Sequence, residues 1–247
     1  MGFGVGLRHR RWTQHERSQL RALAGQDPSL RAAVAAVKAF QAARFRNTYS
    51  DLLATARFRP AVLFFLNELY SDKDYRQRDA QFVRIAGPLE RLFPESVVDT
   101  AVSMAELHAI TERLDAAMAH ALLAAGAASA LDNTRYAQAW NEVGHPDYRE
   151  FQLATVLRVG QDLAQFTRKR GLRTLLRMMR PAAHASGLGA LQSFLEAGFD
   201  TFGAMTRAGD AAQEFLGFIQ QREGILIDTL FSADAATSVQ ALGRTRW

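Results

Sequence analysis

Apolar residues recur three and four positions apart along most of the chain, and prolines mark where these runs begin and end. Asp27 and Pro28 form a typical helix start, which predicts a helix reaching about residue 56. Pro60 predicts a second start, and Pro94 leads into a long helix. No segment alternates β-branched and polar residues as a strand does. The pattern therefore predicts an all-α protein, a single bundle of about eight to ten helices.

The second half of the chain continues this pattern with shorter helices. His145 and Pro146 interrupt it once, and we expect Pro181 to close another helix because proline removes a backbone donor. The predicted helices are at about 136–143, 146–166, 171–180, 188–205 and 211–231.

The organisation that follows is one helical domain at 27–231. Residues 1–26 form an N-terminal arm with a short helix, and 232–247 form a C-terminal tail. An Ala/Gly-rich passage at 124–130 is the candidate for a flexible connection inside the domain.

The segment 62–70 is apolar at every position except Asn67 and Glu68. A helix that is apolar nearly all round is buried among others. Glu68 would then need a partner, because an unpaired buried carboxylate is costly. We expect that partner to be an arginine in the segment 76–84, where Arg76, Arg78 and Arg84 are candidates.

The amino-acid composition and the motifs that are absent exclude several classes of functional site. Hydrophobic residues make up 48% and charged residues 22%, as in globular proteins. Cysteine is absent, which excludes thiolate zinc sites, iron–sulfur clusters and a cysteine nucleophile. No apolar run approaches the ~20 residues of a membrane span, and no signal peptide is recognisable, so we expect a cytoplasmic protein. Glycine-rich phosphate loops and the common hydrolase motifs are absent too, which favours a binding protein over an enzyme.

His108 is the first candidate for a functional side chain. It lies on a half-apolar face of the long helix, one turn before Glu112. Such a pair is typical of a metal ligand with its supporting carboxylate, or of a proton-transfer group. A salt bridge between the two side chains is the alternative.

Glu223 is the second candidate, because it interrupts an apolar stripe of the last helix. One hypothesis joins Glu223 with Glu68 and His108 as ligands of a di-iron site in a helical bundle. The other is a buried pair with an arginine. The E-x-x-H motif of di-iron bundles occurs once, from Glu142 to His145, at a helix end.

A basic helix is the third candidate feature. Arg173, Arg177 and Arg180 share one face, and leucines and Met179 share the other. This pattern favours binding to an acidic protein or an anionic membrane surface through residues 171–180, or a solvated charged face. No motif of specific nucleic-acid binding accompanies it.

The segment 64–70, FFLNELY, resembles the signature of the bacterial FFLEELY-motif proteins, with Asn67 where that name has Glu. The segments 71–81 and 105–115 are similar to that family as well. The resemblance implies an all-helical bacterial protein and brings no activity with it.

A second resemblance is to globins. A Phe-rich helix is followed by an amphipathic helix that carries His108. The resemblance implies haem as cofactor, with His108 as proximal ligand and Gln81 as a distal hydrogen-bonding side chain.

Our leading hypothesis is a non-enzymatic all-helical module that binds a protein partner or a small apolar ligand, with no cofactor predicted. A globin-like haem protein and a non-haem di-iron oxidase are the alternatives. Phe65 is a candidate ligand contact, and five further phenylalanines line either a pocket or a packed core: Phe194, Phe199, Phe202, Phe215 and Phe218.

Overall fold

Ten helices form an all-α bundle in the part of the chain that the structure describes, and no strand occurs there. The computed structural model describes residues 27–68, 70, 95–126, 131–169, 171–185, 189–207 and 209–244. The helices are α1 (Pro28–Thr48), α2 (Ser50–Leu53), α3 (Arg59–Glu68), α4 (Glu95–Ala124), α5 (Asn133–Val143), α6 (Pro146–Phe166), α7 (Leu172–Ala185), α8 (Gly189–Arg207), α9 (Ala211–Ser232) and α10 (Ala235–Leu242). The predicted fold class is confirmed. None of the described helices combines the length and apolarity needed to cross a membrane.

Aspartate side chains cap three helix starts. Asp27 accepts a hydrogen bond from the Ser29 amide at 2.8 Å, and Asp132 accepts one from the Arg135 amide at 2.9 Å. Asp234 caps α10 in the same way. Each carboxylate satisfies an amide that has no partner inside its helix, which fixes where the helix begins.

The first helix ends earlier than predicted, at Thr48 instead of near residue 56. The buried Arg222 on α9 explains part of this break. Its Nη1 donates to the Thr48 carbonyl at 2.8 Å, and its two Nη atoms bind the Asp51 carboxylate at 2.7 and 2.6 Å. A tertiary contact thus replaces helical hydrogen bonds at the end of α1.

Two other predicted boundaries change. Pro181 lies inside α7 instead of closing it, because a missing N–H removes only the bond to the residue one turn earlier. Within the predicted tail 232–247, residues Ala235–Leu242 form α10, which packs on α5 and α9 and buries Leu242. The predicted arm at 1–26 and residues 127–130 of the predicted connection lie outside the described residues.

Phenylalanines from α3, α8, α9 and the turn before α3 pack into what we call the aromatic core, with Phe64 and Phe65 of α3 at its centre. Phe65 meets Phe215 edge to face with ring centroids 5.2 Å apart, and the Phe64 ring lies against α8 at Gly198. The burial predicted for this helix is correct for most of its faces, although Leu63 stays 37% exposed. The members of the aromatic core are Phe58, Phe64, Phe65, Phe194, Phe202 and Phe215.

Helices α6 and α9 approach each other closely at Gly160. A Cβ atom there would lie 2.6 Å from a methyl group of Leu216, so any larger residue would require the Leu216 side chain to move. Helix α4 packs against α1, α5 and α6. This arrangement surrounds a space between α1, α4, α5, α6 and α9.

Candidate ligand-binding cavity

A cavity of about 160 Å³ lies between these five helices. An apolar cavity of about 150 Å³ is large enough for benzene, so this one has room for a ligand of roughly that size. Its wall is mixed. The apolar part includes Phe45, Phe65, Leu107, Leu153, Val156, Ile219 and Leu226, and the polar part includes Lys38, Gln41, Arg44, His108, Thr111, Glu112, Asp115, Arg149, Gln152 and Glu223.

Helical spacing places these side chains on the inner faces. On α6 the lining residues are Arg149 and the residues three, four and seven positions after it, Gln152, Leu153 and Val156. This spacing puts them on one face of the helix. Helix α4 supplies a similar stripe at 104, 107, 108, 111 and 115. Polar residues therefore occupy positions where a packed bundle normally has apolar ones.

Arg44 and Glu223 form a nearly buried ion pair at one side of the cavity. Arg44 Nη1 donates to Glu223 Oε1 at 2.6 Å, and the Tyr49 hydroxyl donates to the same oxygen at 3.0 Å. Burial alone would lower the pKa of Arg44, but Glu223 together with Tyr70 and Tyr136 outweighs it, so the pKa is raised. The predicted Glu–Arg pair is thus present, whereas the neighbouring Arg222 contacts Asp51.

A second ion pair joins Lys38 of α1 to Glu112 of α4. His108 Nε2 lies 3.7 Å from the same Glu112 oxygen, which is the contact that the sequence spacing predicts. The His108 side chain is only 15% exposed. Glu112 thus contacts Lys38 as well as His108.

Asp115 is a buried carboxylic acid on α4, with 1% of its surface exposed. Its Oδ1 accepts a hydrogen bond from Gln41 Nε2 at 3.0 Å, and Gln41 also donates to the Tyr136 hydroxyl at 3.3 Å. Burial is the main reason that the pKa of Asp115 rises to about 6. This carboxyl group therefore changes charge close to neutral pH.

Arg149 is a buried arginine on α6, with 5% of its surface exposed. Its guanidinium lies over the Trp140 ring at 3.9 Å, and Nη1 donates to Gln152 Oε1 at 3.2 Å. Gln152 is held in turn by a 2.7 Å hydrogen bond to Thr111. Burial lowers the pKa of Arg149. Its Nε and Nη2 have no hydrogen-bond partner within the described part of the chain.

Some charged side chains around the cavity therefore contact a group of opposite charge, and others do not. Lys38 and Arg44 each contact a glutamate. Asp115 and Arg149 attract each other at longer range but make no ion pair. Arg149 is left as a buried cation without a contacting anion in the described chain.

The structure brings together some of the residues that the sequence singled out. His108, Glu112, Glu223 and Phe65 all line the cavity. Glu68 is half-buried at the end of α3 and is not part of the cavity wall. Gln81, Arg76, Arg78 and Arg84 lie outside the described residues, so the predicted pairing of Glu68 stays a prediction.

The donor set proposed for iron is not assembled among the described residues, where no group of three His, Asp or Glu side chains suits a metal ion. The E-x-x-H residues Glu142 and His145 are both exposed. A haem bound through His108 remains a prediction.

The basic helix α7 is partly neutralised by its neighbour α8. Arg173 contacts Asp200 at 2.7 Å, and Arg180 binds both carboxylate oxygens of Glu196, at 3.1 and 2.6 Å. Arg177 is exposed, with Met178 beside it. Binding of an acidic partner or an anionic membrane by this helix stays a prediction.

The phenylalanines that the sequence left open between pocket and core belong to the core. Phe194, Phe199, Phe202 and Phe215 are buried in one cluster, and Phe218 packs against it. The cavity lies beside them, with Phe45 and Phe65 as its aromatic contacts from that cluster.

Sequence reasoning missed the residues that make the cavity distinctive: Gln41, Asp115, Arg149 and Gln152. The usable signal is polar residues at core spacing on α4 and α6. It became interpretable only once the facing helices were known.

A family model described as a domain of unknown function, DUF8198, matches residues 20–237. The chain belongs to this family. The DUF8198 match includes α1 to α9 and thus every helix of the cavity wall. It carries no activity, and it does not itself show the resemblance to FFLEELY-motif proteins or to globins. No curated protein and no solved structure matches the chain.

Proposed function

We propose that this DUF8198 protein is a non-enzymatic binding module whose cavity holds a small, partly apolar molecule. The observation that carries the proposal is the cavity of about 160 Å³ among α1, α4, α5, α6 and α9. Ligand sites are commonly concave and mostly apolar, with a few polar groups that fix orientation. The cavity is concave and has an apolar part, although its wall carries more polar side chains than is usual for such sites.

The cavity is smaller than the several hundred cubic ångströms of typical drug-sized sites, which span about 300–1,000 Å³. The ligand is therefore small, about one aromatic ring or a short chain. Arg149 lines the cavity and supplies a polar anchor, because its buried Nε and Nη2 have no hydrogen-bond partner in the described chain.

Two leucines of α6 provide a matched test. Leu153 lines the cavity, whereas Leu157, one turn later and equally half-buried, does not. Leu153→Phe should fill part of the cavity, and Leu157→Phe should leave it open. Benzoate, benzamide and benzyl alcohol serve as single-ring probes, observed by saturation-transfer NMR.

We expect at least one probe to bind the wild type and Leu157→Phe but to lose its signal with Leu153→Phe. Circular dichroism checks that both variants are folded. The proposal fails if none of the three probes binds the wild type, or if a folded Leu153→Phe variant binds them unchanged.

A further inference from the structure

The two unpaired nitrogens of Arg149 share one edge of its guanidinium group. Nε–H and one N–H of Nη2 point in parallel, forming the fork that binds both oxygens of a carboxylate. The third nitrogen, Nη1, is at the opposite edge and is already used by Gln152. The edge left without a partner in the described chain is therefore the bidentate one. Both of its nitrogens are buried, so a carboxylate reaches them only when adjoining side chains of the cavity wall shift.

The guanidinium is also fixed in place before any ligand arrives. Trp140 lies against one of its faces, and the chain of hydrogen bonds from Thr111 through Gln152 holds its far edge. A fork that is already oriented loses little conformational entropy when it binds an anion. Thr111 lies on α4, Trp140 on α5 and Gln152 on α6, so three helices hold the guanidinium in place.

Charge matching limits the ligand to a single negative charge. Three carboxylates line the cavity: Glu112, Asp115 and Glu223. Two of the three cations, Lys38 and Arg44, contact glutamates. Asp115 attracts the third, Arg149, only at longer range, so one guanidinium is left for direct contact with one ligand carboxylate. A phosphate dianion would meet more repulsion than one guanidinium offsets.

We infer that the ligand is a small monocarboxylate, held through both oxygens by Nε and Nη2 of Arg149, with its apolar body against Leu107, Leu153 and Ile219. This inference rests on the binding function proposed above and specifies the chemical class of its ligand.

The first test compares benzoate with benzamide, which has the same ring but no charge. Titration calorimetry near neutral pH should show benzoate binding about tenfold or more tightly, because a charge-assisted bidentate contact is stronger than a neutral one. If benzamide or benzyl alcohol binds in the cavity as tightly as benzoate, the carboxylate inference fails and the binding function stands. If none of the three binds, both fail.

The second test uses Arg149→Lys, which keeps the positive charge but lacks the planar fork. Benzoate should lose about tenfold in affinity, and benzamide should change little. The control is Arg158→Lys, an exposed arginine of the same helix, which should behave as wild type. Equal affinity for benzoate in a folded Arg149→Lys variant overturns the inference.

Because replacing a buried arginine can also unfold a protein, the wild type offers an independent readout. Added benzoate should shift the ¹⁵N resonance of Arg149 Nε and slow exchange of its proton. Benzoate that binds without changing this resonance contradicts the inference.

Discussion

The aromatic core and the cavity are neighbours that share helix α9 and the side chain of Phe65. In the aromatic core, rings pack mainly on other rings, as Phe58, Phe65 and Phe215 illustrate. Around the cavity, buried side chains carry charge, and one guanidinium edge has no partner in the described chain. The first region is packed with apolar rings, whereas the second contains a buried charged group that contacts no anion in the described chain.

Helix α9 shows how closely the two environments adjoin. Phe215 packs in the aromatic core, and two turns later Glu223 binds Arg44 beside the cavity. Both positions lie on the inward face of one helix. The difference shows that one helix face buries apolar side chains in one part and a charged pair in another, and we propose that the charged part serves ligand binding.

Substitutions in the aromatic core should have the largest effect on the free energy of unfolding. Phe215 is fully buried, and Phe215→Ala should lower the free energy of unfolding by about 3–5 kcal/mol, because it removes buried surface and leaves a void. Urea denaturation measures this. Phe218→Ala, at a half-buried position nearby, should cost less. If Phe215→Ala lowered the free energy of unfolding less than Phe218→Ala does, the aromatic core would not be the main source of stability.

Breaking the ion pair beside the cavity should have the next largest effect. Glu223→Gln leaves Arg44 without its anion, and we expect a loss of roughly 2–4 kcal/mol in the free energy of unfolding. The matched control is Glu214→Gln on the same helix, whose pair with Arg57 is about half exposed. That variant should stay within about 0.5 kcal/mol of wild type. Equal effects at the two sites would show that the Arg44 pair is solvated.

Asp115 should make stability depend on pH. Its pKa is about 6 in the folded protein, mainly because of burial, and about 3.9 in an unfolded chain. The folded state therefore holds the proton more tightly, so the free energy of unfolding falls as pH rises from about 4 to about 6 and stays lower above that. Asp115→Asn cannot ionise and should be more stable than wild type by roughly 1–3 kcal/mol above about pH 7.

Thermal denaturation across this pH range measures the Asp115 contribution. Asp99→Asn, at an exposed position of the same helix, is the control and should follow the wild-type curve. Should Asp115→Asn be less stable than wild type at every pH, the hydrogen bond from Gln41 would outweigh the cost of burying the charge.

The basic helix α7 should show the smallest effect on stability. Arg173→Glu together with Arg177→Glu removes one exposed ion pair, so the free energy of unfolding should change by less than about 1 kcal/mol. Any binding to anionic vesicles at low salt should weaken. Co-sedimentation measures the binding to vesicles. If the wild-type protein does not bind such vesicles, α7 is not a membrane-binding surface.

The fold was largely predictable because its signals are local. Asp27 with Pro28 marks the start of α1, and the run 62–70 indicates a buried helix. The end of α1 at Thr48 was not predictable, since it depends on Arg222, which is far away in sequence. Helix boundaries set by tertiary contacts leave no local trace.

The cavity was predictable only in part. Glu223 stands out because it interrupts an apolar stripe, and His108 because of Glu112. Arg149 follows a proline near the start of its helix, where a charged residue is ordinary, so its core spacing alone does not distinguish it from an exposed arginine. Its environment comes from Trp140 on another helix.

A crystal structure of the protein grown with saturating benzoate tests the central claim most directly. The account predicts the benzoate ring among the apolar side chains of the cavity and both carboxylate oxygens at about 2.7–2.9 Å from Arg149 Nε and Nη2. A structure in which these nitrogens bind Asp115 instead, with no benzoate in the cavity, would contradict it.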